Sequence, residues 1–134
     1  MEKVGILACT GMGQVVGTIS RQIAYRVCDD LRPEQTVLVC LPALVKGVEE
    51  DIEFIQKYPT IVIEGCKQRC ATYALRLMGG EPTAEVYVPT VLRGSKVKVK
   101  REARAALRRE EMKVVEKGAE KVVALVDELL ARNR

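Results

Sequence analysis

The chain contains no histidine. That absence excludes Ser-His-Asp and Cys-His catalysis by this chain alone. It also removes the commonest nitrogen ligand, so a metal site here would be all sulfur, or sulfur with carboxylate. Tryptophan is absent too, and only one phenylalanine and four tyrosines are present. No apolar stretch approaches the roughly 20 residues that a membrane span needs, so no membrane partner is expected. Met1-Glu2-Lys3 runs straight into an apolar segment, without the separate charged region and cleavage site of a signal peptide. A cytoplasmic location with reduced thiols is therefore expected. The cysteines number five, and an odd count argues against a complete disulfide framework.

What is present fits one globular domain. The 134 residues are 48% hydrophobic and 30% charged, enough to bury a real core. The expected organisation is a single domain over 1–134, with the core in 1–95 and a basic C-terminal helix in 96–134. Residues 96–134 carry 12 Lys or Arg against 7 Asp or Glu, a net of +5, out of +4 for the whole chain.

The hydrophobic pattern alternates strand and helix. Val4–Ala8, Thr36–Val39, Thr60–Ile63 and Ala84–Val88 read as strands. Val16, Ile19, Ile23 and Val27 fall on one face of a first helix, which Leu31-Arg32-Pro33 ends. Val48, Ile52 and Ile55 mark a short helix, and Ala71, Ala74, Leu75 and Met78 mark another over about 67–78. Residues 89–99, with Pro89 and Gly94, read as a loop before a long final helix at about 101–131. Val115, Val122 and Leu129 repeat there every seven residues, a stripe that would pack on the sheet or pair two chains as a homodimer. Alternating strands and helices imply an α/β fold: a three-layer α/β/α, Rossmann-like sandwich with a mainly parallel sheet of about four strands.

Four cysteines stand where ligands would stand. Cys9, Cys40 and Cys66 each follow an apolar strand, and Cys70 lies four residues after Cys66, on the following helix. Sites in such sheets form beyond the carboxyl ends of strands. With a strand order of 2-1-3-4, the three strand-end sulfurs lie on adjacent strands about 4.8 Å apart, close enough to meet one ion at about 2.3 Å zinc–sulfur distances. This predicts one metal ion, zinc, held by Cys9, Cys40, Cys66 and Cys70. An iron–sulfur cluster also takes four thiolates and stays open as an alternative. The helix N-terminus at Cys66–Cys70, with Lys67 and Arg69 beside it, is expected to favour thiolates. A redox or sulfur-carrying thiol pair at Cys66 and Cys70 is the chemical rival, although C-x3-C is not the C-x-x-C of thioredoxin-like proteins. Cys28, on the first helix, reads as packing.

Gly11, Gly13 and Gly17 follow the first strand, in the place of a phosphate-binding loop. Their spacing departs from G-x-G-x-x-G, and Cys40 stands where a ribose-binding carboxylate would be. Gly11 and Gly13 are instead expected to shape the site, together with Glu64 and Gly65. Cys9 to Val15 resembles a phosphatase loop but has valine where that loop needs arginine. Lys96, Lys98, Lys100, Arg101, Arg104, Arg108 and Arg109 form a basic stretch with no aromatic partner, interrupted by Glu102, Glu110 and Glu111. A solvated face is expected there rather than a nucleic-acid interface.

These residues resemble the DGC family of zinc-binding proteins, named for an Asp-Gly-Cys motif and carrying four chelating cysteines. The motif reads Glu64-Gly65-Cys66 here, its partner matches Cys70, and the upstream pair matches Cys9 and Cys40. The resemblance covers roughly residues 3 to 80, more loosely to about Gly94, and the basic C-terminal helix looks peculiar to this chain. It implies metal binding and supplies no reaction. A site closed by four thiolates has no position for water, so a binding, delivery or sensing role is expected over an enzymatic one.

Overall fold

The computed structural model describes residues 2–132; Met1, Asn133 and Arg134 lie outside the described residues. Four strands, β1 (Val4–Ala8), β2 (Thr36–Leu38), β3 (Thr60–Glu64) and β4 (Ala84–Tyr87), form one all-parallel sheet in the order β2-β1-β3-β4. This is the order assumed from the sequence. Ala8 pairs with Ile63 and Ile6 with Leu38, so the strands end nearly level at one edge.

Residues alternate between the two faces of the sheet. Val4, Ile6, Ala8, Ile61, Ile63 and Val86 face one layer of helices. That layer holds α1 (Val15–Tyr25), α5 (Val88–Ser95) and α6 (Arg109–Arg132). Leu7, Val39 and Val62 face the other layer, made of α2 (Leu41–Lys46), α3 (Glu49–Lys57) and α4 (Cys70–Leu77). The fold is a three-layer α/β/α sandwich.

Two local readings change, and one further helix is added. Residues 88–95 are a helix rather than a loop. Pro89 is tolerated because it sits in the first turn, where a missing N–H costs nothing. Residues 41–46 also form a helix, again with a proline, Pro42, in its first turn. The final helix begins at Arg109 rather than near Arg101, after a short 3-10 turn at Arg101–Arg104. The Glu111 carboxylate accepts the backbone N–H of Arg108 at 3.0 Å, which closes the start of α6 from within its first turn.

Val115, Ala119, Val122, Val126 and Leu129 of α6 are buried against α1 and the sheet, in the same apolar cluster as Ile6 and Ile63. The heptad-like stripe is thus covered by this chain's own core. Gly118 lets α6 approach α1: a Cβ there would lie 2.3 Å from Ile23 Cδ1. After α1, residues Arg26–Leu31 widen into a π-helical turn, with Arg32 N–H donating to Val27 O at 2.7 Å.

Candidate functional site

Beyond the ends of β1 and β3, three cysteines border one cavity of about 260 Å³: Cys9, Cys66 and Cys70. The parallel register explains Cys9 and Cys66. Ala8 lies opposite Ile63, so Cys9 is the first residue past the β1 edge, and its N–H donates to Ile63 O at 3.0 Å. Cys66 follows Glu64 and Gly65 off the end of β3, and Cys70 opens α4 after one turn.

The glycines let backbone close over this cavity. A Cβ on Gly65 would lie 3.1 Å from Cys9 Sγ and 3.1 Å from the Val16 carbonyl. A Cβ on Gly17 would lie 1.9 Å from Gly11 O, inside the loop that roofs the cavity. Gly11 and Gly13 line the cavity, but a Cβ on either would meet nothing within 4 Å. The left-handed residue of that loop is Thr10, with φ of 50°. Gly17, rather than Gly11 or Gly13, is the glycine the loop cannot replace.

Glu64 has a structural task. It is fully buried, and its carboxylate accepts the N–H of Ala71 at 3.2 Å and of Thr72 at 2.7 Å. These are first-turn donors of α4, so Glu64 caps that helix from the strand end and places a negative charge at its positive end. α4 has no cap from its own N-terminal residue, Arg69, which sits in the left-handed conformation with φ of 48°.

The electrostatics depart from the sequence expectation. The Cys70 thiol is held above its ordinary range, first by desolvation and then by repulsion from Cys66, Cys9 and Glu64. Arg69 lines the cavity but does not offset this. Its guanidinium bonds Glu85 at 2.7 Å and stacks on Tyr87 at 4.4 Å. Cys9 Sγ donates to Ser20 Oγ at 3.4 Å, and Ser20, fully buried, donates in turn to Val16 O at 2.8 Å. Nothing in the sequence marks Ser20, because its role depends on the neighbour that α1 meets in space.

Cys40 lies elsewhere. It is exposed, sits at the N-cap position of α2 without a side-chain capping bond, and borders a separate cavity with Ala8, Ala24, Tyr25 and Leu41. The pleat is the reason: Val39 packs with Leu7 on the α2–α4 face, so the next residue turns toward α1. Cys28 packs against the α1–α6 core, as expected, and burial pushes its thiol up to about 11. Among the described residues, no three Cys, Asp or Glu side chains are gathered tightly enough to ligate an ion. The donor chemistry nevertheless suits a thiophilic ion: three thiols line one cavity, and its one arginine is committed to Glu85.

A family model described as the DGC domain matches residues 5–123. The match reaches well into α6, beyond the Gly94 limit expected from the motifs alone. No curated protein and no solved structure matches the chain.

Proposed function

Since the chain belongs to the DGC domain family, we propose that it is a metal-binding protein that holds one zinc ion through Cys9, Cys40, Cys66 and Cys70. The observation that carries this reading is the meeting of Cys9, Cys66 and Cys70, from two strand ends and a helix start, at one cavity. These three are the principal ligands. They have to draw together on the ion, in keeping with the rule that sites complete themselves as metal binds. Cys40 joins as the fourth by a swing of the turn between β2 and α2.

Zinc enclosed by four thiolates offers no open position to water, which favours binding, delivery or sensing over hydrolysis. Thiol redox chemistry at Cys66 and Cys70 has less support, because desolvation and repulsion from Cys66, Cys9 and Glu64 disfavour the Cys70 thiolate.

The test is elemental analysis of anaerobically purified protein, with thiol titration before and after chelation. About one zinc per chain, with loss of metal on replacing Cys9, Cys66 or Cys70 by serine, supports the reading. Iron with sulfide replaces zinc by a cluster. Metal-free protein that takes up no added zinc sinks the proposal.

A further inference from the structure

We propose that a second cavity beside the Gly11–Gly13 loop, bordered by Arg21 and Arg104, binds a small tetrahedral oxyanion of the phosphate type. The cavity measures about 190 Å³ and is bordered by Thr10, Gly11, Thr18, Arg21 and Arg104, among others, with no carboxylate among its lining residues. A water molecule occupies about 30 Å³ of liquid, so a single oxyanion with part of its hydration fits.

The described arginines fall into those that are paired with a carboxylate and those that are not. Arg26, Arg32, Arg69, Arg76, Arg108 and Arg132 each hold a carboxylate. Those around the loop do not. Among the described residues Arg21 has neither a hydrogen-bond nor an ion-pair partner, and the Arg104 guanidinium reaches only the Gly13 carbonyl, at 3.3 Å. Arg101, also without a partner, borders an adjoining cavity against Gly13, Gln14 and Val15. Arg93 and Arg109 likewise lack a carboxylate but border neither of these cavities. Two arginines that border one cavity without an acid to neutralise them are matched to an oxyanion, which accepts guanidinium N–H groups in pairs.

The frame around the cavity is fixed. The Thr18 hydroxyl donates to the Arg104 carbonyl, which ties the 3-10 turn to α1. Thr10, held left-handed at φ of 50°, lies on the same border. Strained residues of this kind cluster where ligands are held. In place of the arginine that the loop lacks at position 15, the cavity has Arg21 from the adjoining helix and Arg104 from a distant part of the chain. Cys9 lines the thiol cavity rather than this one, so the site binds an anion and does not transfer a phosphoryl group.

The inference is independent of the metal reading, and the test needs no metal. Sodium phosphate is titrated into the 15N-labelled full-length protein at constant ionic strength, against sodium chloride. The expected result is saturable amide shifts at Gly11, Thr18 and Ala105. Either Arg21→Gln or Arg104→Gln weakens binding about tenfold or more, the worth of one charge-assisted bond. Arg93→Gln removes the same charge elsewhere and leaves binding unchanged. The Arg21 side chain makes no bond among the described residues, so Arg21→Gln keeps the test valid if Arg104→Gln perturbs the loop. Wild-type protein that shows no phosphate-specific shifts overturns the proposal. So does equal weakening by all three variants, which would mean diffuse surface charge.

Discussion

The Glu64 carboxylate accepts the backbone N–H of Thr72 at 2.7 Å, joining the end of β3 to the first turn of α4 across the cysteine turn. Replacing Glu64 by alanine leaves two buried amide donors without an acceptor, which costs about 1–3 kcal/mol. Glu64→Gln keeps one acceptor oxygen and costs less. Urea unfolding ranks the two, and a Glu64→Ala variant as stable as the wild type would show that water replaces the cap freely.

Gly17→Ala drives a methyl group into the Gly11 backbone. Backbone cannot turn aside as a side-chain tip can, so the loop has to shift, and a destabilisation of about 2 kcal/mol or more is expected. Thermal melting measures it. Gly11→Ala, which meets open space, serves as the control and leaves the melting temperature nearly unchanged.

Thr60 carries the one buried hydroxyl without a hydrogen-bond partner among the described residues. Thr60→Val preserves the branched shape and removes the unpaired oxygen, so it is expected to leave stability unchanged or raise it by about 1 kcal/mol. A clear loss in urea unfolding would mean that a water satisfies this oxygen.

Arg108 holds the Glu111 carboxyl down to about 2, from an ordinary 4.5, through a side-chain hydrogen bond at 2.8 Å that outweighs the cost of burial. The folded form binds its proton less readily than the unfolded form. Stabilisation from this pair is therefore complete above about pH 4.5 and is lost as the pH falls through about 2. Unfolding midpoints measured from pH 6 to pH 2 are expected to fall less steeply for Glu111→Gln than for the wild type. Parallel curves would remove Glu111 from the acid response.

The thiols differ in accessibility. In metal-free protein at pH 8, iodoacetamide is expected to modify exposed Cys40 fastest and Cys28 slowest, since burial pushes the Cys28 thiol up to about 11. Zinc is expected to protect Cys9, Cys66 and Cys70 strongly. Cys40→Ser lowers zinc affinity while keeping one ion per chain, whereas Cys66→Ser abolishes binding. Mass spectrometry of the labelled peptides reads both effects.

The hydrophobic periods of Val4–Ala8, Thr60–Ile63 and the α6 stripe determined the layers of the fold, because burial of alternate or every third and fourth residue is a local property of the chain. Start points were less legible. Pro89 reads as part of a loop, yet proline is at home in a first helical turn. The start of α6 depends on Glu111 reaching back to Arg108, without the Ser or Thr that usually signals a cap.

The sequence by itself determined the parallel sheet and the edge where the cysteines emerge. Only the tertiary structure decided which sulfurs share a cavity. Strand pleating turns Cys40 toward α1 while Cys9 meets Cys66 and Cys70. It also decided that Glu64 caps α4 and that Arg21 and Arg104, 83 residues apart in sequence, border one cavity. Side-chain direction at a strand end, and contacts between distant segments, depend on packing that no local pattern records.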